Sequence, residues 1–130
     1  MIHKIDNIGI SVRDIRQTKE FYVDKLGLKL VRPYKEGDKD LLVQVGNSNL
    51  YIFQTERAEA KPVGRTTEYL QNDLGIDHLS FEVEDVDRPY QELGATGVKF
   101  LGSPAENWGM RYVGLSDPDV NIIYLIKWLT

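Results

Sequence analysis

The chain has 130 residues, of which 42% are hydrophobic and 28% charged, and a formal net charge of −4 at pH 7. This length suits one compact domain, or two small halves that share a core. The acidic balance argues against a nucleic-acid partner, because such proteins need a concentrated basic surface. The absence of cysteine excludes disulfides, thiolate metal sites and a cysteine nucleophile. No apolar run approaches the roughly 20 residues of a membrane span, and no signal peptide is visible, so we expect a cytoplasmic protein without a membrane partner.

The sequence repeats itself at an offset of about 71 residues. KIDNIGISVRD at 4–14 matches GIDHLSFEVED at 75–85, and LYIF at 50–53 matches IYLI at 123–126. Because the matches follow the same order along the chain, they indicate an internal duplication. The informative difference between the two copies is Asn7 in the first and His78 in the second.

The first half is predicted as β-α-β-β-β. Residues 3–13 alternate between apolar and polar side chains, which predicts a strand. Asp14 as the N-cap, with Gln17 three residues later, predicts the start of a helix. That helix is expected to end at Gly27 in a left-handed cap. Three strand-like runs follow, at 28–34, 41–45 and 50–54.

The second half repeats this order after a polar stretch. Residues 55–74 contain Pro62 and Gly64 and are predicted as a linker with a helical turn at 67–72. The predicted elements that follow are a strand at 76–84, a helix at 86–93 that contains Pro89 and is ended by Gly94, and strands at 98–101, 110–115 and 122–128.

One such unit alone would bury too little surface to be stable. We therefore predict an α+β fold in which two tandem βαβββ modules form an open, curled eight-stranded mixed sheet around a cleft, with the helices outside. The predicted single domain, 1–130, consists of module one at 3–54, a linker at 55–75 and module two at 76–128.

Strand alternation selects the residues that face the predicted cleft. The polar face of the first strand of module one carries Asn7, Gly9 and Ser11. The same face in module two carries His78, Ser80 and Glu82. On the last strands, Tyr51 and Phe53 correspond to Tyr124 and Ile126. Asn7, Tyr51, His78 and Tyr124 occupy equivalent positions in the repeat, so we predict that they converge.

The chain resembles the vicinal oxygen chelate superfamily, which includes glyoxalase I, methylmalonyl-CoA epimerase, extradiol dioxygenases, fosfomycin-resistance enzymes and bleomycin-binding proteins. The resemblance rests on the opening strands 5–12 and 76–83, on Phe21-Tyr22 before 26–28 (LGL), and on NWGMR at 107–111 with DPD at 117–119. It covers nearly the whole chain except the linker. In the family such chains commonly form dimers, so we expect a homodimer.

The resemblance implies a metal site that this sequence fills poorly. Enzymes of the family hold a divalent metal with His or Gln and Glu side chains on four strands. By position, these sites fall on Asn7, Tyr51, His78 and Tyr124, of which only His78 is a usual ligand. The family's carboxylates are missing, so we expect no metal and no other cofactor; ferric iron held by two phenolates is a disfavoured alternative. Val120 replaces the usual turn glycine, and we expect Asn121 to take the positive φ.

The predicted site residues also have ordinary structural readings. A lone strand histidine such as His78 is more often structural, and tyrosines favour strands in any case. Glu82 fits a solvated strand end, and Trp108 fits a packing anchor or a dimer contact. As a site, the predicted ligand-binding residues are Asn7, Tyr51, Phe53, His78, Glu82, Trp108, Arg111 and Tyr124, with His78 also the candidate catalytic base.

Three functions remain open on the sequence alone. The first is a metal-independent protein that binds a drug-like or aromatic small molecule. The second is a metal-dependent lyase, isomerase or dioxygenase of the glyoxalase type. Its ligands would then come from other side chains, among them His3, Glu56, Glu82 and Glu106. The third is metal-free catalysis, with His78 as the base and Tyr51 or Tyr124 as an oxyanion donor.

Overall fold

The computed structural model of the chain describes residues 1–129. They divide into two compact units, unit 1 at Met1–Lys61 and unit 2 from Pro62 onward. Strands and helices occur in both units, which confirms the α+β class. Unit 1 contains β1 (Asn7–Val12), α1 (Ile15–Lys19), a π-helical segment (Glu20–Lys25), β2 (Lys29–Leu30), β3 (Asp40–Val45) and β4 (Ser48–Gln54). Unit 2 contains a 3₁₀ turn (Tyr69–Gln71), β5 (Leu79–Glu82), α2 (Asp87–Gly94), β6 (Lys99–Phe100), β7 (Ala105–Asn107), β8 (Met110–Ser116) and β9 (Ile122–Trp128).

Each unit builds one mixed sheet, and the two sheets share a strand order. Unit 1 has the order β1-β4-β3-β2, and unit 2 has β5-β9-β8-β6 with β7 also paired to β8. In both sheets the first strand runs parallel to the last, and the other pairs are antiparallel. The sheets are open, as expected. Their arrangement around a shared cleft stays a prediction.

The elements differ from the predicted ones mainly in length. The runs predicted at 28–34 and 76–84 pair only over Lys29–Leu30 and Leu79–Glu82. Strand β7 was missed, because its three residues, Ala105–Asn107, are all exposed and show no apolar alternation. Gly94 is the last residue of α2, so the helix ends there as predicted, but without a left-handed glycine at that position; the positive φ, 88°, falls on Gly97.

The start of α1 confirms the predicted cap. Oδ1 of Asp14 accepts hydrogen bonds from the backbone N–H groups of Arg16 and Gln17, at 3.0 and 3.3 Å. The helix then widens, because Leu26 N–H donates to the carbonyl of Phe21 five residues back, at 2.9 Å. Gly27, with φ 78°, ends the segment as predicted.

The turn before β9 differs from the prediction. Val120, not Asn121, takes the positive φ, at 66°. Asn121 is held by Asp117, whose carboxylate accepts from both its backbone N–H (2.8 Å) and its side-chain amide (2.9 Å). The left-handed conformation therefore falls on a β-branched residue, at a cost of about 1–2 kcal/mol.

Each sheet has one apolar, buried face. In unit 1 the buried residues of the sheet are Val12, Leu41, Val43, Leu50 and Ile52. In unit 2 they are Val113, Leu115, Ile123 and Leu125. The opposite faces carry the polar and aromatic side chains, together with aliphatic ones such as Leu42 in unit 1 and Ile122 and Ile126 in unit 2. None of the helices within residues 1–129 has the length and apolar character that crossing a membrane requires.

We expect Asp14→Ala to lower the free energy of unfolding by about 1 kcal/mol, because two backbone N–H groups lose their cap. Urea denaturation of both proteins measures the change. Asp24→Ala is the matched control, because Asp24 makes only an exposed ion pair with Lys19 at 3.1 Å and should matter little. Equal losses in the two variants would contradict the assigned cap.

Candidate ligand-binding site

An open cavity of about 400 Å³ lies on the non-core face of the unit 2 sheet. The strand register explains which residues line it: Ser80 and Gly114 both pair with Tyr124, and Tyr112 pairs with Ile126. Because paired residues in neighbouring strands point to the same side, these side chains share one face. The volume falls in the range of small-molecule sites, roughly 300–1,000 Å³.

Four aromatic rings line the cavity and contact one another in series. Tyr69 and Trp108 have centroids 6.5 Å apart, Trp108 and Tyr112 5.7 Å, and Tyr112 and Tyr124 6.1 Å. Tyr124 also meets the ring of His78 edge-to-face at 4.8 Å. Such geometries are the favourable ones for aromatic pairs. The result is a wall of π-faces along one side of the cavity.

Trp108 reaches the cavity through a strained turn. Trp108 and Gly109 connect β7 to β8, and both have positive φ, 51° and 73°, as in a type I′ hairpin. Asn107 caps the turn by accepting from the Trp108 N–H at 2.9 Å. A bulky residue in this conformation costs about 1–2 kcal/mol, and strain of this kind clusters at functional sites. The indole is left 58% exposed at the edge of the cavity.

Gly114 gives Tyr124 the space it occupies. A Cβ on Gly114 would lie 3.1 Å from an edge carbon of the Tyr124 ring. That ring is already fixed by His78 on one side and Tyr112 on the other. Burial, with a further contribution from the charge of Asp77, raises the pKa of Tyr124, so its phenol stays protonated at neutral pH.

The imidazole of His78 is oriented by its neighbour in the chain. Nδ1 of His78 lies 2.8 Å from Oδ1 of Asp77, and Oδ2 of Asp77 accepts from the Asn72 amide at 2.8 Å. The hydrogen bonds from Asn72 and then from His78 lower the pKa of the Asp77 carboxyl. Asp77 is therefore an ionised acceptor, and the proton between the two side chains sits on Nδ1 of His78.

The predicted linker is ordered where it supports this pair. The Asn72 amide oxygen accepts from both the N–H (3.1 Å) and the hydroxyl (2.9 Å) of Thr66, and its NH₂ donates to the Thr66 carbonyl at 2.9 Å. Arg65 donates to the carbonyls of Asp73 and Leu74. The loop before β5 thus forms a hydrogen-bonded frame that holds Asp77 in place.

The predicted site residues of unit 2 divide into two groups. His78, Trp108 and Tyr124 line the cavity, whereas Glu82 and Arg111 do not. Arg111 lies on the opposite side of β8, where its guanidinium binds the Asp87 carboxylate of α2 at 2.8 and 2.6 Å. Successive residues of a strand point to opposite faces, so alternation along β8 places Arg111 on the face opposite Tyr112. There the carboxylate of Asp87, at the start of α2, binds the guanidinium.

The structure adds residues that sequence reasoning missed. Tyr112 shares the parity of Met110 and Gly114 on β8, so alternation applied to that strand would have found it. Tyr69 lies in the former linker and carries no periodic signal. Asp77 was noticed as a repeat identity, but not as a partner of the histidine beside it.

The predicted residues of unit 1 form their own cluster. Tyr51 donates its hydroxyl to Oδ2 of Asp40 at 2.8 Å, and Asp40 pairs with Arg32 at 3.1 Å. Tyr51 also stacks on Phe53, with centroids 5.6 Å apart. The Asn7 amide donates to Asp6 at 3.0 Å. Convergence of Asn7 and Tyr51 with His78 and Tyr124 stays a prediction.

The side chains at the four positions do not fit a divalent metal. The hydrogen bond to Asp40 raises the pKa of Tyr51, and burial raises that of Tyr124, so both phenols are neutral and poor ligands. One nitrogen of His78 is already bonded to Asp77. Within each unit, residues 1–129 contain no group of three or more His, Asp and Glu side chains placed to hold a metal ion.

A larger depression of about 610 Å³ lies along α1 in unit 1. Its sides are mainly charged groups of both signs, including Arg16, Lys19, Glu20 and Asp24. Two of these, Lys19 and Asp24, already neutralise each other. It lacks the apolar walls of a small-molecule site, so the aromatic cavity is the better candidate.

Comparison with known proteins agrees with this fold. Residues 4–125 match the family described as the Glyoxalase/Bleomycin resistance protein/Dioxygenase superfamily, and the chain belongs to it. The chain is 32% identical to the uncharacterized protein YraH of Bacillus subtilis (strain 168), over 97% of this chain and 99% of that protein. The crystal structure of SMU.1112c is similar with a TM-score of 0.77 at 27% identity, covering 97% and 99% of the two chains. A glyoxalase family protein from Enterococcus faecalis shares the fold, with a TM-score of 0.74 at 24% identity over 95% and 96% of the chains.

We expect Gly114→Ala to destabilise the protein by about 1–3 kcal/mol, because the new methyl group would crowd the Tyr124 ring, which His78 and Tyr112 hold in place. Thermal unfolding measures the loss. Gly102→Ala is the control: Gly102 also lines the cavity, but a Cβ there meets nothing within 4 Å. A Gly114→Ala protein as stable as Gly102→Ala would show that Tyr124 is not held against β8.

Proposed function

We propose that the cavity of unit 2 binds a small aromatic molecule without the help of a metal ion. The observation that carries this proposal is the series of four rings, Tyr69, Trp108, Tyr112 and Tyr124, along a cavity of about 400 Å³. Aromatic walls favour flat ligands, which gain stacking or edge contacts of about 0.5–1.5 kcal/mol per ring pair beyond the buried area.

The polar groups of the cavity are few and suited to orienting a ligand. Three short hydroxyls, those of Thr67, Ser80 and Ser103, and the imidazole of His78 lie among the aromatic and aliphatic side chains. A mostly apolar pocket with a small number of polar groups is the usual form of a small-molecule site. This composition supports recognition of one face and one polar edge of the ligand.

Binding is a better account than metal-dependent chemistry. A lyase, isomerase or dioxygenase of the glyoxalase type would need oxygen or nitrogen ligands able to compensate a divalent cation. The phenols and amide at the equivalent positions are neutral, and Asn7 and Tyr51 already bond to carboxylates of their own unit. The absence of a metal, the homodimer and the cytoplasmic location stay predictions.

We expect ligand binding to perturb Trp108 and to leave Trp128 unchanged. The chain has only these two tryptophans, and Trp128 does not line the cavity although it is also half-exposed. Two indole N–H signals are therefore expected in the ¹H–¹⁵N spectrum, assigned with Trp108→Phe. Titration with mono- and bicyclic aromatic compounds, beginning with 1-naphthol, should shift the Trp108 signal.

Calorimetry on two variants completes this test. Trp108→Ala should weaken 1-naphthol binding roughly three- to ten-fold, the equivalent of losing one aromatic contact, and Trp128→Ala should bind like the original protein. If no compound of the panel binds, or if the Trp128 signal shifts while Trp108 stays, the proposed function is wrong.

A further inference from the structure

The orientation of His78 makes one of its ring nitrogens an acceptor. Nδ1 carries the proton that it shares with Asp77, as the ionised carboxylate has none to give. In the neutral imidazole the other nitrogen, Nε2, must then be unprotonated. Within the described part of unit 2, no side chain or backbone group donates a hydrogen bond to Nε2, and His78 lines the cavity.

Resting on the binding function proposed above, we propose that the ligand of this cavity is a neutral aromatic molecule with an O–H or N–H group, which it donates to Nε2 of His78. Phenols, naphthols and N–H heteroaromatic compounds belong to this class. Aromatic ethers and tertiary amines, which have no hydrogen to donate, do not.

The other polar groups of the cavity cannot make this choice. They are hydroxyls, on Thr67, Ser80 and Ser103 and on the tyrosines, and a hydroxyl can rotate to donate or to accept. Nε2 has no such freedom, because Asp77 fixes the tautomer. A ligand that covers Nε2 without donating to it leaves a desolvated acceptor unpaired, which costs more than a typical hydrogen bond contributes.

The charge of the lining adds the second restriction. None of the described residues that line the cavity is a Lys, Arg, Asp or Glu. The charge that acts on the lining is that of the Asp77 carboxylate, which contributes to the raised pKa of Tyr124. A carboxylate or sulfonate ligand would therefore lose its hydration without gaining a cationic partner, and it would be repelled by Asp77.

The test compares three compounds of one size, 1-naphthol, 1-methoxynaphthalene and 1-naphthoate, by calorimetry at about pH 8, at which an ordinary imidazole is neutral. The original protein should bind 1-naphthol roughly three- to ten-fold more tightly than the methyl ether and bind naphthoate most weakly. His78→Phe keeps a ring against Tyr124 but removes the acceptor, so it should bind the alcohol and the ether alike. His78→Gln, which restores an oxygen near the place of Nε2, should recover part of the preference.

The outcomes separate the two proposals. If the alcohol and the ether bind the original protein equally, the cavity binds aromatic compounds but His78 does not select them, and only this inference fails. If His78→Phe still prefers the alcohol, the preference comes from the extra methyl group of the ether and not from His78. That result also overturns the inference. If none of the aromatic compounds binds, the proposed function itself fails.

Discussion

The hydrogen bond between Asp77 and His78 is the interaction on which the site depends. It joins two consecutive residues, so it needs no long-range assembly, and Asn72 binds the second oxygen of the same carboxylate. That arrangement commits one ring nitrogen to the protein and leaves the other for a ligand. The histidine that resembles a metal ligand by position thus has a different partner and a different use.

The second constraint is the division of the unit 2 sheet into two faces. Apolar side chains such as Val113 and Leu125 are buried on one face, and aromatic ones cover the other. Gly114 is needed on the cavity face, because its missing side chain lets the Tyr124 ring lie against β8. The cavity therefore results from strand register and one absent methyl group, with Trp108 added by a strained hairpin turn.

The sequence predicts the strands and the face of His78 and Tyr124 well, because period-two alternation survives in any sheet environment. It predicts the cap at Asp14 for a similar reason, since capping is local. It does not predict that Asp87 of α2 binds Arg111, because this contact depends on how the helix approaches β8. Nor does it reveal Tyr69, because side-chain hydrogen bonds order the loop that carries this residue, and such bonds leave no periodic pattern in the sequence. The left-handed Val120 was missed because the bonds from Asn121 to Asp117 outweigh the general preference for Asn at such positions.

The central claim is the tautomer of His78, and imidazole ¹⁵N spectroscopy measures it directly. The chain has two histidines, so a protein with His3→Ala gives the signal of His78 alone. At about pH 8, with ordinary imidazoles neutral, the account predicts a protonated Nδ1 and an unprotonated Nε2 whose signal moves when 1-naphthol is added. A proton on Nε2 with a bare Nδ1 would contradict it, because Asp77 would then not hold the ring and the cavity would present a donor in place of an acceptor.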